Sequence, residues 1–167
     1  MNMPARQIAL PEEPRLEGEQ TQYLTFLSHD EMYAIGILNI KEIMEYQSPA
    51  TVPMMPSYLK GVINLRGAVV PVVDLALRFG RKENPITKRS CIVIIEMANE
   101  DERQDVGVLV DSVSEVLEIP STEIEPPPAF GAKIRTDFIQ GMGKVKDEFV
   151  IILNVGKVLS MEELAGV

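Results

Sequence analysis

GVINLRGAVVPVVDL, residues 61–75, reads as strand, tight turn, strand. Val62, Ile63 and Leu65 make one short apolar run, and Ala68 to Val73 makes another. Asn64, Arg66 and Gly67 lie between them, and a Gly closing a short loop between two β-branched runs signals a hairpin. Gly67 tolerates the positive φ that a side chain disfavours. Arg66 is therefore expected at the tip of a stiff hairpin, with its guanidinium in solvent. Pro71 lacks the N–H a ladder needs, so its strand is expected to be an edge or to bulge there. By spacing alone, a solubilising arginine on an ordinary hairpin also explains the stretch.

Outward from the hairpin, Asp74 can cap a short helix through Phe79, with Gly80 at its end. Upstream, Pro49, Pro53 and Pro56 break the chain into loop, and Ser57 to Lys60 is expected as one helical turn capped by Ser57. Tyr23 and Phe26 belong to a first strand beginning near Gln22. His29-Asp30-Glu31 is a turn, and Met32 to Ile37 returns as a second strand. Ile37, Ile40, Ile43 and Met44 then recur at three or four, which suits a short helix, although Ile37 to Ile40 also alternates. Downstream, residues 81 to 89 form a basic, polar connector and Ser90 to Met97 a buried strand. Asn99 to Asp105 is a charged hairpin loop, Val106 to Val110 a strand, and Val113, Val116 and Leu117 repeat the mixed period. Pro126-Pro127-Pro128 begins a stiff connection. Thr136 and Asp137 can cap a turn before Gly141, Phe149 to Leu153 is a strand, and Val155 to Leu164 is expected as a terminal helix.

The second half echoes the first. Tyr58-Leu59-Lys60-Gly61 aligns with Phe138-Ile139-Gln140-Gly141, and without a gap Val72-Val73-Asp74-Leu75 then meets Ile152-Leu153-Asn154-Val155. At a slightly different offset, Ile40 to Glu45 meets Val113 to Glu118. Such a repeat implies two small, similar β units, each with a marginal core of its own. They are expected to pack along a shared apolar seam, a place where a partner can dock.

Composition bounds the function. The chain has 167 residues, 46% apolar and 25% charged, with a net charge of −9. That is a globular profile. An acidic chain without a basic patch repels phosphate backbones, so no nucleic-acid partner is expected. No apolar run approaches the roughly 18 residues that span a bilayer, so no direct membrane insertion is expected. No basic-then-apolar leader pattern is present, and the single cysteine, Cys91, lies in an apolar run as core filler. These features point to the cytoplasm. Residues 1–20, rich in Pro and Glu, read as a disordered tail, and 21–167 as a single domain of two pseudo-repeated β subdomains.

Catalytic constellations are missing. The one histidine, His29, stands in a polar turn with no partner nearby in sequence, which removes most metal, triad and acid–base arrangements. Gly141-Met142-Gly143-Lys144 has Val145 where a phosphate loop needs Ser or Thr. Asp111-Ser112 resembles half of an aspartic-protease motif, but the matching position in the other half is Leu38, and the dyad needs two carboxylates. No enzyme activity, cofactor or metal is expected.

YLKGVINLRGAVVPVVDL (58–75) looks like the signature of the CheW family of chemotaxis coupling proteins, which the chain resembles from about Gln22 to Leu164. MYAIGILNIKEI (32–43), VGVLVDSVSEVLEI (106–119) and FIQGMGKVKDEFVIILNV (138–155) follow in the right order. Ser28-His29 departs from a more usual Gly-containing turn, and the loop Asn99 to Asp105 is long. The resemblance implies an all-β fold with a few short helices: two five-stranded SH3-like β-barrels packed together. It also implies a non-catalytic scaffold in the bacterial cytoplasm, associated with membrane-bound chemoreceptor arrays. Its partners would be the CheW-like regulatory domain of a CheA-type histidine kinase and the cytoplasmic tip of chemoreceptors. Carried over by motif, receptor contacts would include Ile40, Glu42, Arg66, Val113 and Val116. Asn64 and Gly67 shape the hairpin turn, and Gly61, Gly107 and Gly141 match glycines that hold the backbone. For Ile40, Val113 and Val116, core burial explains the pattern equally well. For Glu42 a solvated helix face does. An adaptor of a sister pathway, such as pilus-based motility, fits the same residues. A small all-β hydrolase would need convergent carboxylates that the sequence does not supply.

Overall fold

The computed structural model describes residues 21–83, 85–98, 103–127 and 134–160. The expected tail (1–20), the tip of the charged loop (99–102), Pro128 and residues 161–164 lie outside the described residues, and the terminal helix expected over Val155 to Leu164 is helical only over Val155–Val158, with Leu159 and Ser160 leaving it. The elements are β1 (Gln22–Ser28), β2 (Glu31–Gly36), β3 (Ile40–Glu45), β4 (Leu59–Leu65), β5 (Ala68–Asp74), α1 (Leu75–Arg78), β6 (Cys91–Ala98), β7 (Arg103–Val110), β8 (Ser112–Glu118), β9 (Ile124–Glu125), β10 (Ile139–Val145), β11 (Glu148–Leu153) and α2 (Val155–Val158). Short 3₁₀ turns occupy Ile37–Asn39, Ser121–Glu123 and Thr136–Phe138.

The strands form two sheets, ordered β8-β1-β2-β11-β10-β9 and β3-β6-β7-β5-β4. Each supplies five principal strands to an SH3-like barrel, and the two-residue β9 is an addition that the five-strand expectation did not include. The organising hairpin is β4–β5, joined by Arg66 and Gly67 alone. Both have positive φ (50° and 88°), the type I′ pattern that matches the twist of paired strands. Lys146 and Asp147, at the matching turn between β10 and β11, repeat it at 50° and 67°. The edge or bulge expected at Pro71 is not found: β5 is an inner strand between β7 and β4, and Pro71 pairs in register with Val62. Val62 exchanges both main-chain hydrogen bonds with Ala50, so the Val62–Pro71 pair does not need a Pro71 N–H. On the other side, the parallel ladder from β5 to β7 begins only at Val72.

The sequence repeat does not coincide with the sheets. The first sheet takes β1 and β2 from the first half but β8 to β11 from the second. The other takes β3, β4 and β5 from the first half and β6 and β7 from the second. Each half begins in one sheet and crosses to the other, so neither half builds a barrel alone. The crossings fall where the period was mixed. Ile37–Asn39 is a 3₁₀ turn and β3 is a strand, not the helix expected from the spacing. Ile37, Ile40 and Ile43 all join the same core cluster. The 3₁₀ turn sets the first step of three, and a bulge between Ile40 and Glu42 sets the second. A bulge opposite Leu24 and Phe26 does the same for Val113 and Val116 in β8.

Two further expectations are corrected. Ser57 to Lys60 is not a helical turn, because the chain bends at Ser57–Tyr58 and enters β4 at Leu59, which pairs with Val73. A turn does form at Thr136–Phe138, but no side chain caps it.

Each strand divides its apolar residues between two cores. In β6, Ile92 and Ile94 face the interior of one barrel, while Val93 and Ile95 face the seam. In β2, Ala34 faces the other interior, while Tyr33 and Ile35 face the seam. Burial on both faces is why these strands read as continuous apolar runs. The seam is the largest of the three clusters. Arg78 closes one end of it. Its guanidinium lies 4.8 Å from the ring centroids of both Tyr58 and Phe138, which are repeat-related. It also donates to the carbonyls of Val158 (2.6 Å) and Lys157 (3.2 Å) at the end of α2.

The expected cap of α1 is present: Asp74 Oδ1 accepts from the Leu77 amide at 3.2 Å, and Asn154 does the same for Lys157 in α2. Asp74→Ala is expected to cost roughly 1–2 kcal/mol and lower the melting temperature by about 3–8 °C. Thermal denaturation followed by circular dichroism checks this.

Candidate functional site

The candidate residues come from the hairpin tip and from two repeat-related edge strands. β3 and β4 end one sheet's strand order, and β8 begins the other's. Arg66, at the tip of β4–β5, forms an ion pair with Glu42 on β3. This contact joins the two ends of one strand order across the barrel. The pair stays wet, with the side chains 67% and 28% exposed. Arg66 is thus exposed as expected, but it is paired, to a residue 24 positions away that local sequence could not indicate. Glu42 lies on a strand and not on a helix face. Beside it, Lys41 bonds Asp105 of β7 at 2.9 Å, and that hydrogen bond, then the Asp105 charge, holds the lysine's pKa up.

The three aliphatic candidates share one cluster but differ in burial. Ile40 is buried in the seam core. Val113 and Val116 are half-buried at its margin, opposite Phe26 and Leu24 of β1. Sequence reasoning treated Cys91 only as core filler. It is half-buried, it pairs with Glu45 at the end of β3, its thiol donates to the Arg89 carbonyl at 3.4 Å, and the Val113 backbone lies near its sulfur. Burial pushes its thiol pKa up, which disfavours the reactive thiolate. Cys91 therefore marks where β3 and β8 approach each other.

The turn and backbone residues have separate jobs. Asn64 Oδ1 accepts from the Gly67 amide at 3.1 Å, which braces the hairpin tip. Gly61 has φ +143°, and a Cβ there would lie 2.1 Å from the Ala50 carbonyl oxygen. Gly107 and Gly141 sit under neighbouring side chains, where a Cβ would come within 2.7 Å of Ile92 Cγ2 and 2.6 Å of Ile124 Cγ2.

The His29 amide donates to Asp111 Oδ2 at 2.9 Å, a partner 82 residues away, but the contact is through the main chain. His29 Nε2 and Asp111 Oδ1 are both buried without a hydrogen-bond partner. No group of three or more His, Cys, Asp or Glu could hold a metal ion among the described residues. Nor is any described helix long and apolar enough to cross a membrane. The seam is packed and not open. A void of about 10 Å³ beside α1 and α2, lined by residues such as Ile35, Leu75 and Val158, is apolar and no larger than a water site. Val113, Val116 and Cys91 lie half-buried at the outer margin of the seam.

Comparison with known proteins bears on the whole fold. Residues 22–163 match the family model described as a CheW-like domain. The chain is 31% identical to the chemotaxis protein CheW of Klebsiella aerogenes over 153 residues, which is 90% of each chain. It is 35% identical to the chemotaxis protein CheW of Helicobacter pylori, over 86% of this chain and 84% of that one. Its fold is similar to the crystal structure of the scaffolding protein TtCheW from Thermoanaerobacter tengcongensis. There the TM-score is 0.77 at 33% identity, over 86% of this chain and 94% of the other.

Proposed function

Since the chain belongs to the CheW family of chemotaxis scaffold proteins, we propose that it couples chemoreceptor tips to a CheA-type histidine kinase. It does so as a non-catalytic adaptor in the cytoplasm, within receptor arrays. The observation that carries this reading is Arg66. Arg66 takes the first position of a type I′ turn, at φ +50°, which places its side chain at the exposed tip of the hairpin. The type I′ turn and the Asn64 brace hold the guanidinium outward, where its planar fork of donors suits carboxylates or carbonyls on a partner helix. A receptor helix lying along the margin of β3 and β8 would meet Arg66, Val113 and Val116 together. Ile40 supports that surface from beneath, and Glu42 orients Arg66.

The test is a pull-down from an extract of the source cells with the full chain as bait. Recovery of a CheA-type kinase together with a long coiled-coil receptor supports the reading, and recovery of neither overturns it. A pair of variants then separates surface from core. Val116→Asp is expected to weaken receptor binding at least tenfold with only a modest loss of melting temperature, because its half-buried position lets a carboxylate reach water. Ile40→Asp forces the charge into the seam core and should cost several kcal/mol. Equal melting temperatures for the two variants would contradict the assignment of Val116 to the surface.

A further inference from the structure

Residues 87–90 form a tight turn before β6, and three hydrogen bonds fix its shape. The Thr87 amide donates to Ser90 Oγ (2.8 Å), the Arg89 amide to Thr87 Oγ1 (3.1 Å) and the Ser90 amide to the Thr87 carbonyl (3.1 Å). The Tyr46 amide donates to the Ser90 carbonyl at 3.2 Å, which ties the turn to the end of β3. Lys88 and Arg89 stand at its tip, both exposed, and neither makes an ion pair with a described residue. Their location is specific. The Cys91 thiol donates to the Arg89 carbonyl at 3.4 Å, and the Val113 backbone lies near the same sulfur, so the turn lies beside the margin of β3 and β8. Cys91 pairs with Glu45, whereas Arg66 is held to Glu42, three residues back along β3. Ser90 is bonded to Tyr46, so Lys88 and Arg89 lie beyond Tyr46, and at about 3.3 Å per residue the two cationic points are at least about 13 Å apart along the strand.

We propose that the Lys88–Arg89 turn is a second electrostatic anchor of the partner surface, resting on the receptor reading above. It takes a carboxylate on the same receptor helix that Arg66 engages. The same-face spacing of an α-helix that fits this separation is about three turns, so the two acceptors on the receptor stand about eleven residues apart on one face. Glu115, an exposed acid on β8 beside this margin, repels a helix whose carboxylates miss the two anchors and so helps to set its register.

The experiment titrates a purified cytoplasmic-tip fragment of a chemoreceptor from the same organism against the full chain at several salt concentrations. Lys88→Glu/Arg89→Glu is expected to weaken binding about tenfold or more at low salt and to flatten the salt dependence. Lys88→Ala/Arg89→Ala should give a smaller loss, roughly two- to tenfold. Both should keep the parent melting temperature and parent affinity for the isolated kinase regulatory domain. Reversing the matching receptor acid to Lys should restore binding to the Glu variant. Parent affinity and salt slope in the Glu variant, with Arg66→Glu impaired, overturn this inference and leave the receptor reading intact. Parent binding in Arg66→Glu as well overturns the receptor reading itself. A loss confined to the kinase domain also overturns the inference, because it moves the turn to the other partner.

Discussion

Arg66→Glu is expected to fold like the parent chain and to lose receptor-tip binding by a factor of ten or more. The folding half of this expectation follows from exposure. The Arg66–Glu42 pair is solvated on the Arg66 side, and exposed pairs contribute at most about 1 kcal/mol. The binding half follows from the loss of an interface anchor, about 1–3 kcal/mol, with repulsion added by placing a carboxylate beside Glu42. Two more variants separate direct contact from positioning. The charge swap Arg66→Glu/Glu42→Arg rebuilds the ion pair in reverse, and it should restore the hairpin without restoring binding. Arg66→Gly removes the strain of a side chain at φ +50°, so it should keep or slightly raise stability while binding falls. Isothermal titration against receptor tip and kinase domain, beside thermal melts, reads both. Binding restored by the charge swap would mean that the pair only shapes the tip.

The largest effect on stability is expected at Gly61. Gly61→Val should lose about 3 kcal/mol or more, a large share of the 5–15 kcal/mol typical of a folded domain. Two penalties coincide there. At φ +143° the backbone occupies a region that L side chains rarely adopt, and the new Cβ would meet the Ala50 carbonyl at 2.1 Å. That carbonyl cannot move freely, because it accepts from the Val62 amide in the bridge that covers the edge of β4. The repeat supplies a control. Gly141 holds the matching bulge in β10, but its φ is not in the left-handed region and its nearest neighbour is the Ile124 side chain. Gly141→Ala should therefore cost less, about 1–3 kcal/mol, by overpacking. Chemical denaturation of both variants tests the order. A Gly61→Val protein melting within two degrees or so of the parent would show that the edge of β4 yields.

Local chemistry made much of this molecule legible in advance. The β4–β5 hairpin, its two-residue turn and the Asp74 cap rest on interactions within a few residues. So does the repeat, which reappears as matched bulges at Gly61 and Gly141, matched caps at Asp74 and Asn154, and matched left-handed turns at Arg66 and Lys146. The family resemblance was carried by those same stretches. Tertiary structure decided the rest, because it alone brings distant residues together. It turned the three-residue spacing of Ile37, Ile40 and Ile43 into a 3₁₀ turn and a bulged strand, since a single shared core, and no helix axis, sets that spacing. It exchanged strands between the halves, which no repeat in sequence can indicate, because a strand's own pattern does not name its neighbour. It paired Arg66 with Glu42, seated Arg78 between Tyr58 and Phe138, and brought Cys91 against Val113. Side-chain identity established which residues can bind, bend or cap. Only the closing of two interleaved barrels established which of them meet.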